Sequence, residues 1–317
     1  MSKISIIIPV YWNSDTLMAL YEDMKTKILE KLGDYEIVMV DDGSGDNSWE
    51  IMNQIKDMDS NVKLVKLSRN FGEHAALLAG FHHCTGDCAV TKQADLQEDS
   101  ELILEMYDKW KEGNKVVMAI REERDDPALK KFFAGMYYAL VRKFIMKDMP
   151  QGGCDCYLID RQVIEVIEML DEKNSSLTLQ VMWAGFKRAD VYFHRKAREE
   201  GESRWTLGKK IKLVVDSMMS FSYAPVRAMS SIGSLFFCAS IVWALVIIVQ
   251  TLTHGADVAG WASLMALILC SSGLIMLMLG MLGEYIWRTL DESRNRPPFL
   301  VDETRGFEDE CQKTKKG

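Results

Sequence analysis

Two stretches of this 317-residue chain contain no Lys, Arg, Asp or Glu: residues 229–252 and 261–283. Each is long enough to cross a hydrocarbon layer of roughly 30 Å as a helix. A helical hairpin buried in a globular domain is the plainer alternative, but charge-free runs of this length favour membrane spans. The connection "THGADVAG" between them is a tight turn. A basic excess is missing too, since 38 Lys and Arg face 46 Asp and Glu, for a net charge of -8. That balance excludes a general nucleic-acid binder, which needs cations to neutralise phosphates. No G-x-G-x-x-G follows the first strand, so a Rossmann dinucleotide site is not expected. Cys154 and Cys156 are spaced C-x-C, yet no second Cys/His pair has zinc-finger spacing. The seven cysteines are expected as reduced thiols of a cytosolic chain. "MSKISIIIPV" is too short for a signal peptide and lacks a cleavage site, so it reads as a strand.

What is present begins with alternation. "ISIIIPVYW" is a continuous apolar run, suited to a parallel strand covered on both faces. A helical pattern over 15–32 leads to the strand "YEIVMV", and a helix over 47–57 to the strand "VKLVKLS". Then come the helix "GEHAALLAGFHHC", the strand "CAVTKQA", a helix over 99–112 and the strand "KVVMAI". His82, His83 and Cys84 read as a helix end and not as ligands. Such spacing predicts an α/β domain with a mostly parallel sheet, whose ligands bind beyond the carboxyl ends of the strands. Asp41 and Asp42 stand at one such end, and "QADLQ" (93–97) at another. Ser44, Asp46 and Asn47 are good turn and helix-cap residues, so a turn alone would explain the first of these ends. Two acidic strand ends on one sheet ask for more. They suit a sugar-nucleotide and a divalent cation, with Asp41 or Asp42 accepting from base or ribose and Asp95 offering a hard oxygen.

Residues 128–147 and 207–219 are amphipathic, each with an apolar stripe beside lysines or arginines. They either face the core or lie on a membrane surface, and the apolar runs downstream favour the surface. Lys209, Lys210, Lys212 and Arg227 precede the first run, while Arg288, Arg294 and Arg296 follow the second. The positive-inside bias then leaves both termini in the cytoplasm, with a multi-pass anchor in the cell (inner) membrane. The expected units are a catalytic domain over 1–205, a juxtamembrane helix over 206–226, two spans within 229–289 and a cytosolic tail over 290–317. The last fifteen residues are charged, and a free end is expected there.

Six blocks in order, "IIIPVYW", "VDDGSGDNS", "LSRNFGEHAALLAG", "QADLQEDSELI", "GGCDCYLIDR" and "REEGESRW", resemble the family 2 inverting glycosyltransferases of GT-A fold. The resemblance is closest to the polyprenyl-phosphate branch and, with its two C-terminal spans, covers nearly the whole chain. It implies transfer from a nucleotide-sugar, with a UDP-sugar expected, to the phosphate of a membrane polyprenyl phosphate for cell-envelope glycans. It also implies Mg²⁺ or Mn²⁺ held by Asp95 and Gln97, with Gln93 where the family's motif starts with an acid. Pro9, Asp41, Asp42, Arg69, Asn70, Arg198, Ser203 and Arg204 fall on the family's donor-binding blocks, with Gly201 in the last of them. Arg121, Lys130 and Lys131 are the cations expected at the acceptor phosphate, and Asp155 the acid that orients those cations or the sugar. The expected partners are the donor, the acceptor, the bilayer and further copies of the chain, with no nucleic acid. A processive polysaccharide synthase and a non-catalytic nucleotide-sugar-binding module remain alternatives. Against the first, "ESRW" lacks the glutamine of a Q-x-x-R-W motif and two spans are few for a polymer channel. For the second, Gln93 is the one favourable feature.

Overall fold

The computed structural model describes residues 2–121, 153–170, 175–193, 224–254 and 260–307, with scattered positions between 135 and 150 and at 219 and 222. The chain divides into two units, Met1–Ser217 with Pro297–Gly317, and Met218–Arg296.

The first unit is built on one eight-stranded sheet. In chain order its strands are β1 (Ile4–Val10), β2 (Tyr35–Asp41), β3 (Val62–Leu67), β4 (Cys88–Thr91), β5 (Val116–Arg121), β6 (Cys154–Asp160), β7 (Arg188–Phe193) and β8 (Val301–Arg305). In space they run β7-β5-β6-β4-β1-β2-β3-β8. The pairings β1–β2, β1–β4, β2–β3 and β5–β7 are parallel, and β3–β8, β4–β6 and β5–β6 antiparallel. All seven residues of β1 are buried, as its unbroken apolar run requires. Ile4, Ile6, Ile8 and Val10 pack on one face with α1 (Ser14–Met24), α2 (Ser48–Met58) and α4 (Leu102–Lys111). Ile7 packs on the other face, with α3 (Glu73–His83), α5 (Arg161–Leu170) and α6 (Leu177–Trp183). Period-two alternation in one strand thus feeds two cores. A Cβ on Gly80 would collide with the Ile7 side chain, so glycine is what lets α3 lie close on the sheet.

Several expected boundaries shift for physical reasons. After Met24 the first helix continues through a π-helical turn over Lys25–Leu29 and a last turn over Glu30–Leu32. Strand β4 stops at Thr91; the next residue, Lys92, still donates its backbone N–H to Ile7 of β1 at 2.9 Å, and its buried ammonium donates to the Glu98 carbonyl at 2.5 Å, closing a loop. Helix α4 starts at Leu102, later than the periodicity placed it. The free end expected over the last fifteen residues starts inside a strand. Val301–Arg305 forms β8 and pairs with β3, which otherwise would be an open edge.

The second unit holds α7 (Ala224–His254) and α8 (Trp261–Ser293), which cover the expected spans. Both are long and apolar enough to cross a membrane, and their apolar windows, Val226–Trp243 and Cys270–Ser293, are not buried by protein. Most of the 128–147 segment and all but one residue of 207–219 lie outside the described residues.

Candidate active site

Strand direction brings the chemistry together. With β1 to β4 parallel and β6 antiparallel between β4 and β5, the carboxyl ends of β2, β3, β4 and β5 share one edge. Asp41 and Asp42, Arg69 and Asn70, the 93–97 loop and Arg121 stand along it, and β6 starts there with Asp155 second in the strand. The Asp155 side chain, together with Lys130, Lys131, Arg198, Gly201, Ser203 and Arg204, lies outside the described residues. Pro9 sits buried in β1 beyond the last β1–β4 pair, Ile7↔Thr91, so its missing N–H costs the β4 ladder nothing.

The end of β2 is a clasp. Asp42 is buried and accepts from the backbone N–H of Phe71 at 2.7 Å and of Gly72 at 2.9 Å. Burial pushes its carboxyl up to about 6, with a further push from Asp41, against the pull of those two N–H groups. Asp41, also buried, accepts from the Ser44 N–H at 3.1 Å through Oδ1, while Oδ2 has no hydrogen-bond partner among the described residues. Burial raises its carboxyl as well. Both Asp42 oxygens are thus engaged by the fold, and Asp41 is the one with an oxygen to offer. Gly43 makes the close approach possible. Its φ is +68° and a Cβ there would meet the Arg69 carbonyl carbon at 2.5 Å.

The β1–α1 loop is stitched to this clasp. Ser44 Oγ accepts from the Trp12 N–H at 3.1 Å, and Ser48 Oγ from the Asn13 N–H at 3.0 Å. Asp46 accepts from the N–H groups of Ser14 and Ser48, and although burial pushes its carboxyl up, these bonds bring it below the usual range. Asp46 therefore does serve the turn, as the simpler reading held. Trp12 takes a left-handed φ of 56° and stands over Gly45, half-exposed beside Tyr11. These two aromatics were not among the expected site residues; a pair of rings directly after a buried strand was the available signal.

The loop after β4 is held at several points but keeps its acid near the surface. Thr16 Oγ1 donates to the Ala94 carbonyl at 2.6 Å, and Asp95 Oδ1 accepts from the Gln97 N–H at 3.3 Å around a left-handed Leu96. Asp95 is half-buried. Gln93 Nε2 donates to Glu73 Oε1 at 2.7 Å, so the amide that replaces the family's first acid is engaged with a carboxylate from the start of α3. Glu73 too was absent from the expected set. On the β3 side, Arg69 lies over the Phe71 ring at 4.1 Å and donates to the Asn70 carbonyl. Arg121 pairs in register with Phe193 at the end of β5.

An open α/β sheet with acids, amides and two arginines along its carboxyl edge offers a place for a phosphorylated or nucleotide-linked ligand, the class of site that open α/β sheets carry there. Comparison narrows the class. The description "Glycosyl transferase family 2" matches residues 5–168, and "GtrB C-terminal hairpin" matches residues 224–288. An uncharacterised glycosyltransferase of Bacillus subtilis, YkcC, is 36% identical over 305 residues, covering 96% of this chain and 94% of the relative. The bactoprenol glucosyl transferase of Shigella phage SfV is 32% identical over 300 residues, 94% and 98% of the two chains. The undecaprenyl-phosphate 4-deoxy-4-formamido-L-arabinose transferase of Yersinia enterocolitica is 30% identical over 309 residues, 96% and 94%. The chain belongs to the family 2 glycosyltransferases, with the GT-A fold and a GtrB-type C-terminal hairpin.

Proposed function

We propose that this enzyme transfers a sugar, with inversion, from a UDP-sugar to the phosphate of a membrane polyprenyl phosphate on the cytoplasmic face. The observation that carries the proposal is the pairing of a carboxylate-lined sheet edge with a GtrB-type apolar hairpin in one chain. Relatives named for bactoprenol and undecaprenyl phosphate, matched nearly end to end, support the acceptor class.

The donor reading rests on Asp41, whose Oδ2 has no partner among the described residues, and on the exposed Trp12 and Tyr11 rings, which offer a stacking face for a base. Arg69 and Asn70 stand beside them for the diphosphate, and Arg198, Ser203 and Arg204 are the proposed further contacts to it, on their resemblance to the family's R-x-x-G-x-S-[KR] loop. The acceptor needs no strong base. A phosphomonoester has its second pKa at about 6, so its oxygen is already an anion at neutral pH. The protein's task is to hold that anion in line with the anomeric carbon and to offset phosphate repulsion. Arg121, Lys130 and Lys131 are the proposed cations, with Asp155 orienting them or the sugar.

The donor set fits a hard divalent cation, Mg²⁺ or Mn²⁺. Asp95 offers a carboxylate and Gln97 and Gln93 amide oxygens, while among the described residues no group of three His, Cys, Asp or Glu is placed to hold a metal. One or two protein carboxylates plus substrate phosphates is the usual arrangement for Mg²⁺, and Asp95 supplies one. Such an ion, when bound, neutralises charge on the departing diphosphate.

Topology supports the orientation. Strand β8 follows both apolar helices in sequence yet belongs to the same sheet as β1 to β7, so the chain returns to the side it left. The cations before α7 and after α8 make that side cytoplasmic.

The test is a transfer assay with purified protein, short-chain polyprenyl phosphate and a panel of labelled UDP- and GDP-sugars. Label in the lipid phase from a UDP-sugar, with the anomeric configuration opposite to the donor's, is the expected result. Label in a polymer, or transfer from no nucleotide-sugar, would refute the proposal.

A further inference from the structure

Strand β8 lies against the edge from which the donor side of the site is hung. It pairs with β3 from Leu64↔Arg305 to Leu67↔Val301, and just past that pair the Ser68 N–H donates to the Leu300 carbonyl at 2.9 Å. Ser68 opens the turn Ser68–Gly72, whose last two N–H groups are the ones that clasp Asp42. Two rings flank the strand and grip the helix that starts from the same turn. Phe299 meets the His82 ring edge-on at 5.6 Å, and Phe307 meets His83 at 5.4 Å and lies under the Lys63 ammonium at 5.2 Å. Both phenylalanines pack on the same core cluster as α3. Gly306 then turns away at φ +84°, where a Cβ would stand 2.8 Å from the Val62 carbonyl oxygen. The Arg305 guanidinium donates to the Asn53 side chain on α2.

We infer that the returning segment 299–307 is a positioning element of the donor site: it fixes Ser68–Gly72, and through that turn the clasp on Asp42. Among the described residues, no other strand borders β3 on that side. Without β8 the last strand before the turn would be a bare edge. The base of the turn would then lack one backbone hydrogen bond and the packing of two rings. The order of the chain gives this pairing a consequence. Strand β8 is made after both apolar helices, so the donor site is completed only once the anchor has been synthesised. A nucleotide-competent enzyme therefore carries its anchor already.

The inference rests on the donor reading above, and its test separates the two. Three detergent-purified proteins are compared: the full chain, a chain ending after Arg296, and the full chain with Phe299→Ala. The first readout is amide hydrogen exchange over residues 68–72 without any nucleotide. The second is UDP affinity by calorimetry, set beside the KM for polyprenyl phosphate. Exchange over 68–72 should rise about tenfold in the shortened chain, the scale of one missing backbone hydrogen bond, with exchange in β1 unchanged. UDP affinity should fall by a similar factor and the acceptor KM should hold. A synthetic peptide of residues 297–307 added to the shortened chain should restore both. Phe299→Ala should move both readouts the same way by a smaller factor, and it decides the matter if the shortened chain does not fold. Unchanged exchange and unchanged UDP affinity in a folded variant would overturn the inference. A full chain that binds no UDP while exchange still responds would overturn the donor reading and leave the positioning role standing.

Discussion

Strand β2 carries a buried carboxylate near each end, and the two have opposite characters. Glu36, at the start, accepts from Ser5 Oγ at 2.6 Å and from Thr85, and is flanked by the ammonium groups of Lys63 at 2.7 Å and Lys3 at 3.0 Å. Burial alone would raise its carboxyl, but Lys63, Ser5 and Thr85 outweigh burial and bring it down to about 2. Asp42, just past the other end, is held by two backbone N–H groups, and burial with Asp41 alongside keeps it up at about 6. Glu36 is neutralised by its own partners and belongs to the fold. Among the described residues neither Asp41 nor Asp42 is in a direct ion pair, so their field is left for a ligand to complete. The two ends of a strand can therefore differ in whether a cation is bonded directly to the acid, as at Glu36, or acts only at longer range, as Lys66 does on Asp41 and Arg69 on Asp42.

The largest expected effect tests the functional edge. Asp95→Asn should lower sugar transfer by about 100-fold or more, the scale of losing a group that stabilises developing charge. Its thermal midpoint should stay close to that of the parent, since Asp95 is half-buried and an asparagine oxygen can still accept from the Gln97 N–H. Near-parental turnover would remove Asp95 from the mechanism.

The opposite end should respond in stability. Glu36→Gln leaves Lys63 and Lys3 without their shared anion, at a cost of about 3 kcal/mol. That corresponds to a midpoint lower by roughly 6–12 °C for a domain of this size, read by thermal unfolding. Activity of the folded fraction at low temperature should be retained.

The pH dependence should separate the two ends again. The folded pKa of Glu36 is depressed, so its contribution is present above its ordinary value of 4.5 and is lost as pH falls through about 2. Asp42 is raised, so its contribution is present below its ordinary value of 3.8 and is lost as pH rises through about 6. Relative to Asp42→Asn, the parent should therefore gain stability as pH falls from 6 to 4. Relative to Glu36→Gln it should lose stability below pH 4.5. Parallel curves would show that neither carboxyl is perturbed as the geometry requires.

The smallest effect concerns Gln93. From sequence, Gln93→Asp should strengthen metal binding by restoring an acid. In the structure that aspartate would face Glu73, whose carboxylate now accepts from the Gln93 amide, and the like charges would repel. Gln93→Asp alone should leave the metal concentration for half-activity within about twofold of the parent, because repulsion at that range offsets the added charge. Gln93→Asp with Glu73→Gln should lower it severalfold. Metal-dependent turnover checks both, and manganese titration followed by electron paramagnetic resonance should show the same two shifts as changes in affinity.

Much of this was legible in the chain. A continuous apolar run marked β1, because a strand buried on two faces has no polar side to show, and shorter apolar stretches marked β2, β4 and β5, whereas β3 shows two lysines among its apolar residues. Charge-free runs marked α7 and α8 for a similar reason. Strands β6, β7 and β8 were not among the expected elements, although β6 carries the buried run Cys156 to Ile159. β8, "VDETR", is exposed at every position, so neither face has a hydrophobic signal and only its pairing with β3 makes it a strand. The acids of the site were visible as residues. Their division of labour was not, because Asp41 and Asp42 are neighbours of one type, and the partners that distinguish them, Ser44, Phe71 and Gly72, come from two different loops.

By itself the sequence determined the α/β class, the family, the apolar pair and the short list of acids and amides at the strand ends. Each of these depends on local order along the chain: the period of burial, the length of an uncharged run, the spacing within a motif. Tertiary structure decided what depends on pairs far apart in sequence. It chose Asp42 as the clasped acid and left Asp41 Oδ2 without a partner among the described residues, and it tied Gln93 to Glu73. It also drew the end of the chain back to border β3. Hydrogen bonding and burial act through space, and a carboxylate's charge state is set by whichever groups the fold brings to it.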